Sequence, residues 1–213
     1  MKRIYRLLDL FCGAGGAAMG YHLAGFDVIG VDIRPMPRYP FRFIQGDALE
    51  YLAAHGREFD AIHTSPVCKG YTDASRVWRA IGYQYPDQIA AVRELLKATG
   101  KPYIIENVKN APLVNPAVLN GAMFGLPVAR VRYFETSFDI PFHLLPPDLP
   151  AVKMGRPVKD GDVIQPVGHF SNVEYARKAM GIDWMTQAEL SQAIPPAFTE
   201  FIGRQLMAVL EAT

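Results

Sequence analysis

Leu7-Leu8-Asp9-Leu10-Phe11-Cys12-Gly13-Ala14-Gly15-Gly16 carries an apolar strand pattern straight into a glycine turn, and Ala17 to Ala24 continues it with helical character. A strand, a glycine turn and a helix in immediate succession open a parallel α/β sheet, because glycine allows the tight turn and lets backbone amides approach a ligand at the helix N-terminus. Further along, Val28 to Asp32, Arg42 to Gln45, Ala61 to Thr64 and Tyr103 to Glu106 read as strands, separated by helical stretches at Ala48 to His55 and Asp87 to Thr99. The alternation predicts an α/β fold with a doubly wound, mostly parallel sheet whose ligands bind at the carboxyl ends of its strands. Arg130 to Phe138 predicts one more strand and Ala197 to Leu210 a closing helix. Between them, Asp139 to Val167 is rich in proline and glycine with no sustained period, and reads as a loop or small β-insert.

A chain of 213 residues, 50% of them apolar, can bury one sizeable core. With 22 basic against 21 acidic residues there is no global field for a polyanion, so any nucleic-acid surface is a local patch. The first apolar run already contains Asp9, which fits neither a signal peptide nor a membrane span, and predicts a soluble, cytoplasmic protein. Two cysteines, Cys12 and Cys68, exclude a disulfide framework and a multi-cysteine zinc site, and no metal is implied.

The strand ends carry a nucleotide-type site. Gly13, Gly15 and Gly16 form the turn, Asp32 ends the second strand where it can accept from both ribose hydroxyls, and Asp47 follows the third where it can accept from an exocyclic adenine amine. Nicotinamide dinucleotide and S-adenosylmethionine both contain that adenosine. The glycine interval departs from the usual dinucleotide turn, which favours S-adenosylmethionine. Phe11 is either a stacking face for adenine or an ordinary core residue.

Three further signals follow in chain order: Ser65-Pro66-Val67-Cys68-Lys69, Glu106-Asn107-Val108 and Arg130-Val131-Arg132. They supply a nucleophile, an acid and an anion clamp. Cytosine is not nucleophilic at C5 until something adds to C6. A cysteine thiolate can do so, while an acid protonates N3 and offsets the charge developing on the ring. Cys68 and Glu106 match those roles, provided partial burial raises the Glu106 pKa. Asn107 can orient the carboxyl group, and Arg132 can hold the base carbonyl and favour the thiolate. Each residue also has a plainer reading, as a buried small hydrophobe, a cap after a strand, or a solvated basic face.

In this order the motifs resemble those of the DNA (cytosine-5)-methyltransferase family across most of the chain. Asp9 to Gly16 resembles its first signature, Ser65-Pro66-Val67-Cys68 its nucleophile loop, and Glu106-Asn107-Val108 its Glu-Asn-Val motif. Val128-Ala129-Arg130-Val131-Arg132 is similar to its Gln-x-Arg-x-Arg motif. Glu174 to Gly181 resembles its Glu-x-x-Arg stretch, and Ser191 to Pro196 the segment returning to the cofactor pocket.

The resemblance implies S-adenosylmethionine as donor and S-adenosylhomocysteine as product, with Cys68 as nucleophile, Glu106 as acid, and Arg130 and Arg132 at the base. It adds Phe11, Pro66, Gln192 and Ile194 to the cofactor site. It implies double-stranded DNA as substrate, with the target base flipped out of the stack. Lys69, Arg76 and Arg79, interleaved with Tyr71, Trp78, Tyr83 and Tyr85, would meet phosphates and bases on one loop.

The implied organisation is a catalytic core over 1–138, a minimal recognition insert over 139–173, and a return to the core over 174–213. Lys153, Arg156, Lys159 and His169 are its candidates for groove or phosphate contacts. So short an insert predicts a short target sequence or a recognition partner protein. A stand-alone prokaryotic or phage modification enzyme fits this picture. Val67 stands where the family has proline, Lys69 where it has glutamine and Val128 where it has glutamine. These departures keep open an accessory DNA-binding subunit, an RNA or free pyrimidine acceptor, and a modified donor.

Overall fold

The computed structural model describes residues 3–68, 70–71, 80, 88–140, 150–152 and 155–212. Strands β1 (Arg6–Leu10), β2 (Asp27–Asp32), β3 (Arg42–Gln45), β4 (Ala61–Thr64), β5 (Tyr103–Asn107), β6 (Ala117–Asn120) and β7 (Val131–Thr136) form a sheet in the order β3-β2-β1-β4-β5-β7-β6. Strands β1 to β5 pair in parallel, and β7 runs antiparallel to both β5 and β6. The mostly parallel, doubly wound arrangement is the one that the alternating pattern predicts.

The central strands read as continuous apolar runs because both of their faces are covered. Leu7, Val28, Ala61 and Ile104 pack on one face against α1 (Gly16–Leu23) and α6 (Pro196–Glu211), with Tyr21, Phe198, Ile202 and Leu206. Leu8, Leu10, Ile29, Val31, Ile62 and Ile105 pack on the other against Leu52 of α2 (Ala48–His55) and Val92 and Leu96 of α3 (Ile89–Thr99). Asp47 starts α2 by accepting from the amides of Leu49 and Glu50, and Pro196 starts α6, where a missing N–H loses no helical bond.

The strand order turns back at β1, with β2 and β3 on one side and β4 and β5 on the other. The crevice between the carboxyl ends of β1 and β4 is therefore the topological switch point, where ligands of such sheets bind. The glycine turn leaves β1 there and the Ser65 to Cys68 loop leaves β4 there.

Three elements emerge that the sequence pattern does not mark: β6, and two short helices, α4 (Val173–Met180) and α5 (Gln187–Gln192). Ala176, Ala179 and Met180 of α4 and Leu190 of α5 share a third cluster with Val128, Ile164, Phe170 and Ala14. This packing ties the proline-rich stretch to the core: Ile164 bridges to Val128, and its carbonyl accepts from the Ala129 amide at 2.8 Å. Trp184 donates from its indole N–H to the Ala14 carbonyl at 2.8 Å, which fastens the C-terminal region onto the glycine turn. The strand expected from Arg130 begins at Val131 instead. Among the described residues, no helix is long and apolar enough to cross a membrane.

Candidate active site

The turn after β1 is held in an uncommon backbone conformation. Phe11 has φ 56°, unusual for a bulky side chain, and Gly15 caps α1 at φ 85° in the left-handed region. Space is open where a side chain on Gly13 would stand, whereas one on Gly16 would come within 2.5 Å of the Ile194 carbonyl. Gly16 thus has a packing reason of its own, and it places Ile194 against the start of α1.

Asp32 at the end of β2 accepts from the Gly13 amide at 3.1 Å and the Arg34 amide at 3.0 Å, which couples the second strand to the glycine turn. Next to it, Ile33 is 66% exposed, an apolar face at a strand end that the sequence reading passed over. Asp47 is exposed, and both of its capping bonds end on Oδ1. Pro66 is buried near the switch point, while Gln192 is exposed at the end of α5.

Glu106 on β5 is buried, and its Oε1 accepts from Arg132 Nε at 2.9 Å. Burial raises the Glu106 pKa, opposed by Arg132, by a hydrogen bond from Ser65 and by Arg130. Asn107, also buried, donates to the Pro66 carbonyl at 2.9 Å, so the strand carrying the acid grips the loop carrying the thiol.

Cys68 is half-buried. Burial raises its pKa and the Glu106 carboxylate raises it further, outweighing Arg132 and Arg130, whose charges favour the thiolate. Each group thus ionises more readily when the other is neutral.

Arg130 lies just before β7, the strand that carries Arg132. It is buried, and donates to the Pro166 carbonyl at 2.9 Å and the Ser191 carbonyl at 2.8 Å, while its Nε has no partner among the described residues. Burial and the neighbouring Arg132 depress its pKa, and Glu106 and Cys68 counter them. Lys69, Arg76 and Arg79, with Trp78, Tyr83, Tyr85 and Lys153, lie outside the described residues. Arg156, Lys159 and His169 are exposed.

Sequence reasoning missed the polar groups behind Glu106. His63 on β4 is fully buried, its Nδ1 2.9 Å from the Tyr21 hydroxyl and its Nε2 3.0 Å from Ser65 Oγ. Burial lowers the His63 pKa to about 3. The imidazole Cε1–H resonance of His63 should therefore stay flat between pH 8 and 5 in an NMR titration. A shift in that window would show that the ring takes up a proton in the folded state. The folded pKa lies below the unfolded one, so the stability contribution is complete above about pH 6.5 and is lost as pH falls toward 3, about 4 to 5 kcal/mol in all. The signal in the sequence was a histidine inside a strand otherwise suited to full burial.

Asp9 is level with His63 on the neighbouring strand β1. It is buried, burial pushes its pKa well up, and the neighbouring Tyr39 side chain opposes that shift.

The fold is shared with solved methyltransferases. A DNA modification methyltransferase assigned to a prophage in E. coli superposes with a TM-score of 0.67 at 16% identity, over 97% of this chain and 99% of that one. The Entamoeba histolytica methyltransferase EhMeth gives 0.65 at 13% identity, and the Schizosaccharomyces pombe Dnmt2 methyltransferase 0.64 at 13%, each over 98% of this chain and 99% of the other. Among curated proteins, the type II methyltransferase M.XorII of Xanthomonas oryzae pv. oryzae is 30% identical over 125 residues, a match to 48% of this chain. The chain spans 28% of the length of that relative. No family model matches the sequence.

Proposed function

We propose that this chain transfers a methyl group from S-adenosylmethionine to C5 of cytosine in duplex DNA, through a covalent adduct with Cys68. The observation that carries the reading is the buried Glu106–Arg132 pair, tied through Asn107 and Pro66 to the half-buried thiol of Cys68 at the switch point of a methyltransferase fold. This constellation suits addition to an electron-poor ring. The likeness to M.XorII and to the prophage protein supports DNA as the acceptor.

The residues around the glycine turn fit S-adenosylmethionine. Open space at Gly13, the strained Phe11, the Asp32 carboxylate and the exposed Ile33 make a cradle with polar and apolar parts. Asp32 would hold the ribose hydroxyls, Asp47 the adenine amine through Oδ2, and Phe11 and Ile33 the faces of the base. Gly15, Gly16 and Ile194 shape the floor, and Pro66 and Gln192 the rim. When bound, the sulfonium supplies an electrophilic methyl group. Asp32→Asn should weaken S-adenosylmethionine binding about 10-fold or more, the loss of roughly one charge-assisted hydrogen bond, as measured by calorimetry. Unchanged affinity would remove Asp32 from the site.

The chain's own residues then act in sequence. The Cys68 thiolate forms a bond to C6 while the Glu106 O–H donates its proton to N3, leaving an enamine nucleophilic at C5. Arg132 holds the base carbonyl oxygen and the carboxylate that results. After C5 takes the methyl group, solvent takes the C5 proton, the electron pair left behind re-forms the C5–C6 double bond and expels the Cys68 thiolate, and N3 returns its proton to Glu106. Ionised Glu106 raises the Cys68 pKa, so the thiolate is favoured while the carboxyl group keeps its proton. Reaching Cys68 from a duplex requires the target base to leave the stack.

Tritiated S-adenosylmethionine with duplex DNA, single-stranded RNA and free cytidine nucleotides tests the reading. Label should appear in duplex DNA as 5-methylcytosine. Label confined to RNA or to the free nucleotide would overturn the acceptor assignment.

A further inference from the structure

We propose that Tyr21, His63 and Ser65 form a buried hydrogen-bond string that orients the Glu106 carboxyl group and stabilises its ionised form after proton donation, making them positioning residues for the reaction. This rests on the reading of Glu106 as the acid. The string joins two elements and a loop: Tyr21 on α1, His63 inside β4, and Ser65 just beyond the end of β4. His63 lies beside Ile104 of β5 in the strand register, so two residues further along each strand Ser65 comes level with Glu106. The distances are 2.9 Å from the Tyr21 hydroxyl to Nδ1 and 3.0 Å from Nε2 to Ser65 Oγ, and the Ser65 hydroxyl, level with Glu106, lowers the pKa of its carboxyl group.

The chemistry of the ends assigns every proton. An ionised carboxylate only accepts, so the Ser65 O–H donates to Glu106. The Ser65 oxygen then accepts from Nε2–H of His63. Burial keeps His63 neutral, so Nδ1 is bare and accepts from the Tyr21 O–H. All three donors therefore point toward Glu106, which is the polarity that stabilises a negative charge there. Tyr21 is fully buried, so the string ends away from solvent and is a scaffold rather than a proton path.

Among the described residues, few charged groups face this system. Arg132 from β7 holds Glu106 Oε1, Arg130 preceding β7 and Cys68 from the loop after β4 act on it by charge, and Glu106 in turn acts on Asp9 of β1 and Tyr21 of α1. Arg132 of β7 grips Glu106 from one side, and Ser65, just past the end of β4, meets it from the other. Two anchors on different segments fix the carboxyl plane, which one anchor alone would leave free to rotate. A histidine present only to fill the core would make the same contacts to Tyr21, but its loss would not change how Glu106 titrates.

The test compares the full chain with Ser65→Ala, His63→Leu and His63→Gln, the last keeping a donor near the place of Nε2. The first readout is the Glu106 titration by 13C NMR of labelled glutamate, assigned with Glu106→Gln, which needs no activity. Ser65→Ala and His63→Leu should make the ionisation constant of Glu106 about tenfold smaller, and His63→Gln should restore much of it. The second readout is the pH profile of kcat for methyl transfer to duplex DNA. Both truncations should lower kcat about tenfold at neutral pH and move its alkaline limb upward by about one pH unit, with S-adenosylmethionine affinity within twofold of the parent. An unchanged Glu106 titration in folded Ser65→Ala overturns the string. Loss of the acid reading shows differently: Glu106→Gln would retain turnover while the NMR shifts persisted.

Discussion

Cys68→Ser abolishes methyl transfer, a loss of about a thousandfold or more, and leaves S-adenosylmethionine affinity within about twofold. A serine hydroxyl cannot add to C6 without a base to take its proton. His63 has both of its nitrogens engaged, by Tyr21 and Ser65, and burial keeps its basicity low. Glu106, the other group near the thiol, is needed in its protonated form. Of the residues offered for the cofactor, Asp32 and the turn from Phe11 to Gly16 lie at the ends of β1 and β2, and Asp32 bonds to the amides of Gly13 and Arg34; Pro66 on the thiol's loop keeps its place in Cys68→Ser. Turnover by filter binding of tritiated DNA and affinity by calorimetry separate the two effects. A variant that loses cofactor binding along with turnover would assign Cys68 to the pocket rather than to the chemistry.

Gly20→Ala destabilises the protein by about 2 to 3 kcal/mol, despite alanine's better helix propensity. Gly20 lies on α1 where it crosses α6. A Cβ there would stand 2.1 Å from the Pro196 carbonyl and 2.1 Å from Thr199 Oγ1, and 2.6 Å from the Glu200 amide nitrogen. Two of those atoms belong to the backbone, so no rotamer change relieves the contact. The helices must separate, which breaks the bond from Thr199 Oγ1 to the Ala17 carbonyl, 2.9 Å long. Urea unfolding should show the loss, and the melting temperature should fall by roughly 4 to 12 °C. An unchanged midpoint would mean that the crossing is looser than its geometry indicates. Because Tyr21 follows Gly20, the same displacement pulls on the string behind Glu106.

The sheet was legible because its strands are apolar runs ended by glycines or acids. Val28 to Asp32 and Tyr103 to Glu106 stand in the structure almost as the pattern draws them, since burial on both faces leaves no polar alternation to confuse the reading. Four-residue β6 is too short to carry a period, and its pairing comes from β7, a tertiary partner. Helices α4 and α5 are also short. Their stability comes from a shared cluster with Ile164 and Phe170, which are distant in sequence.

At the site, residue types and chain order single out Cys68, Glu106 and Arg132, and the structure brings Glu106 and Arg132 into contact. The burial of Arg130 was not legible, because it depends on two carbonyls from remote segments, those of Pro166 and Ser191. Nor was the string. Tyr21 and His63 are 42 residues apart, and only the packing of α1 over β4 makes them neighbours.

The central claim is that a covalent bond forms between Cys68 and C6 of cytosine in duplex DNA. The most direct measurement incubates the purified protein with S-adenosylmethionine and duplex DNA carrying 5-fluorocytosine, where fluorine blocks the loss of the C5 substituent that would release the enzyme. The account predicts a protein–DNA adduct that survives denaturation, requires the cofactor to reach full yield, and maps by peptide mass spectrometry to Cys68. Transfer of methyl groups to ordinary cytosine DNA with no such adduct, or an adduct that persists in Cys68→Ser, would contradict it.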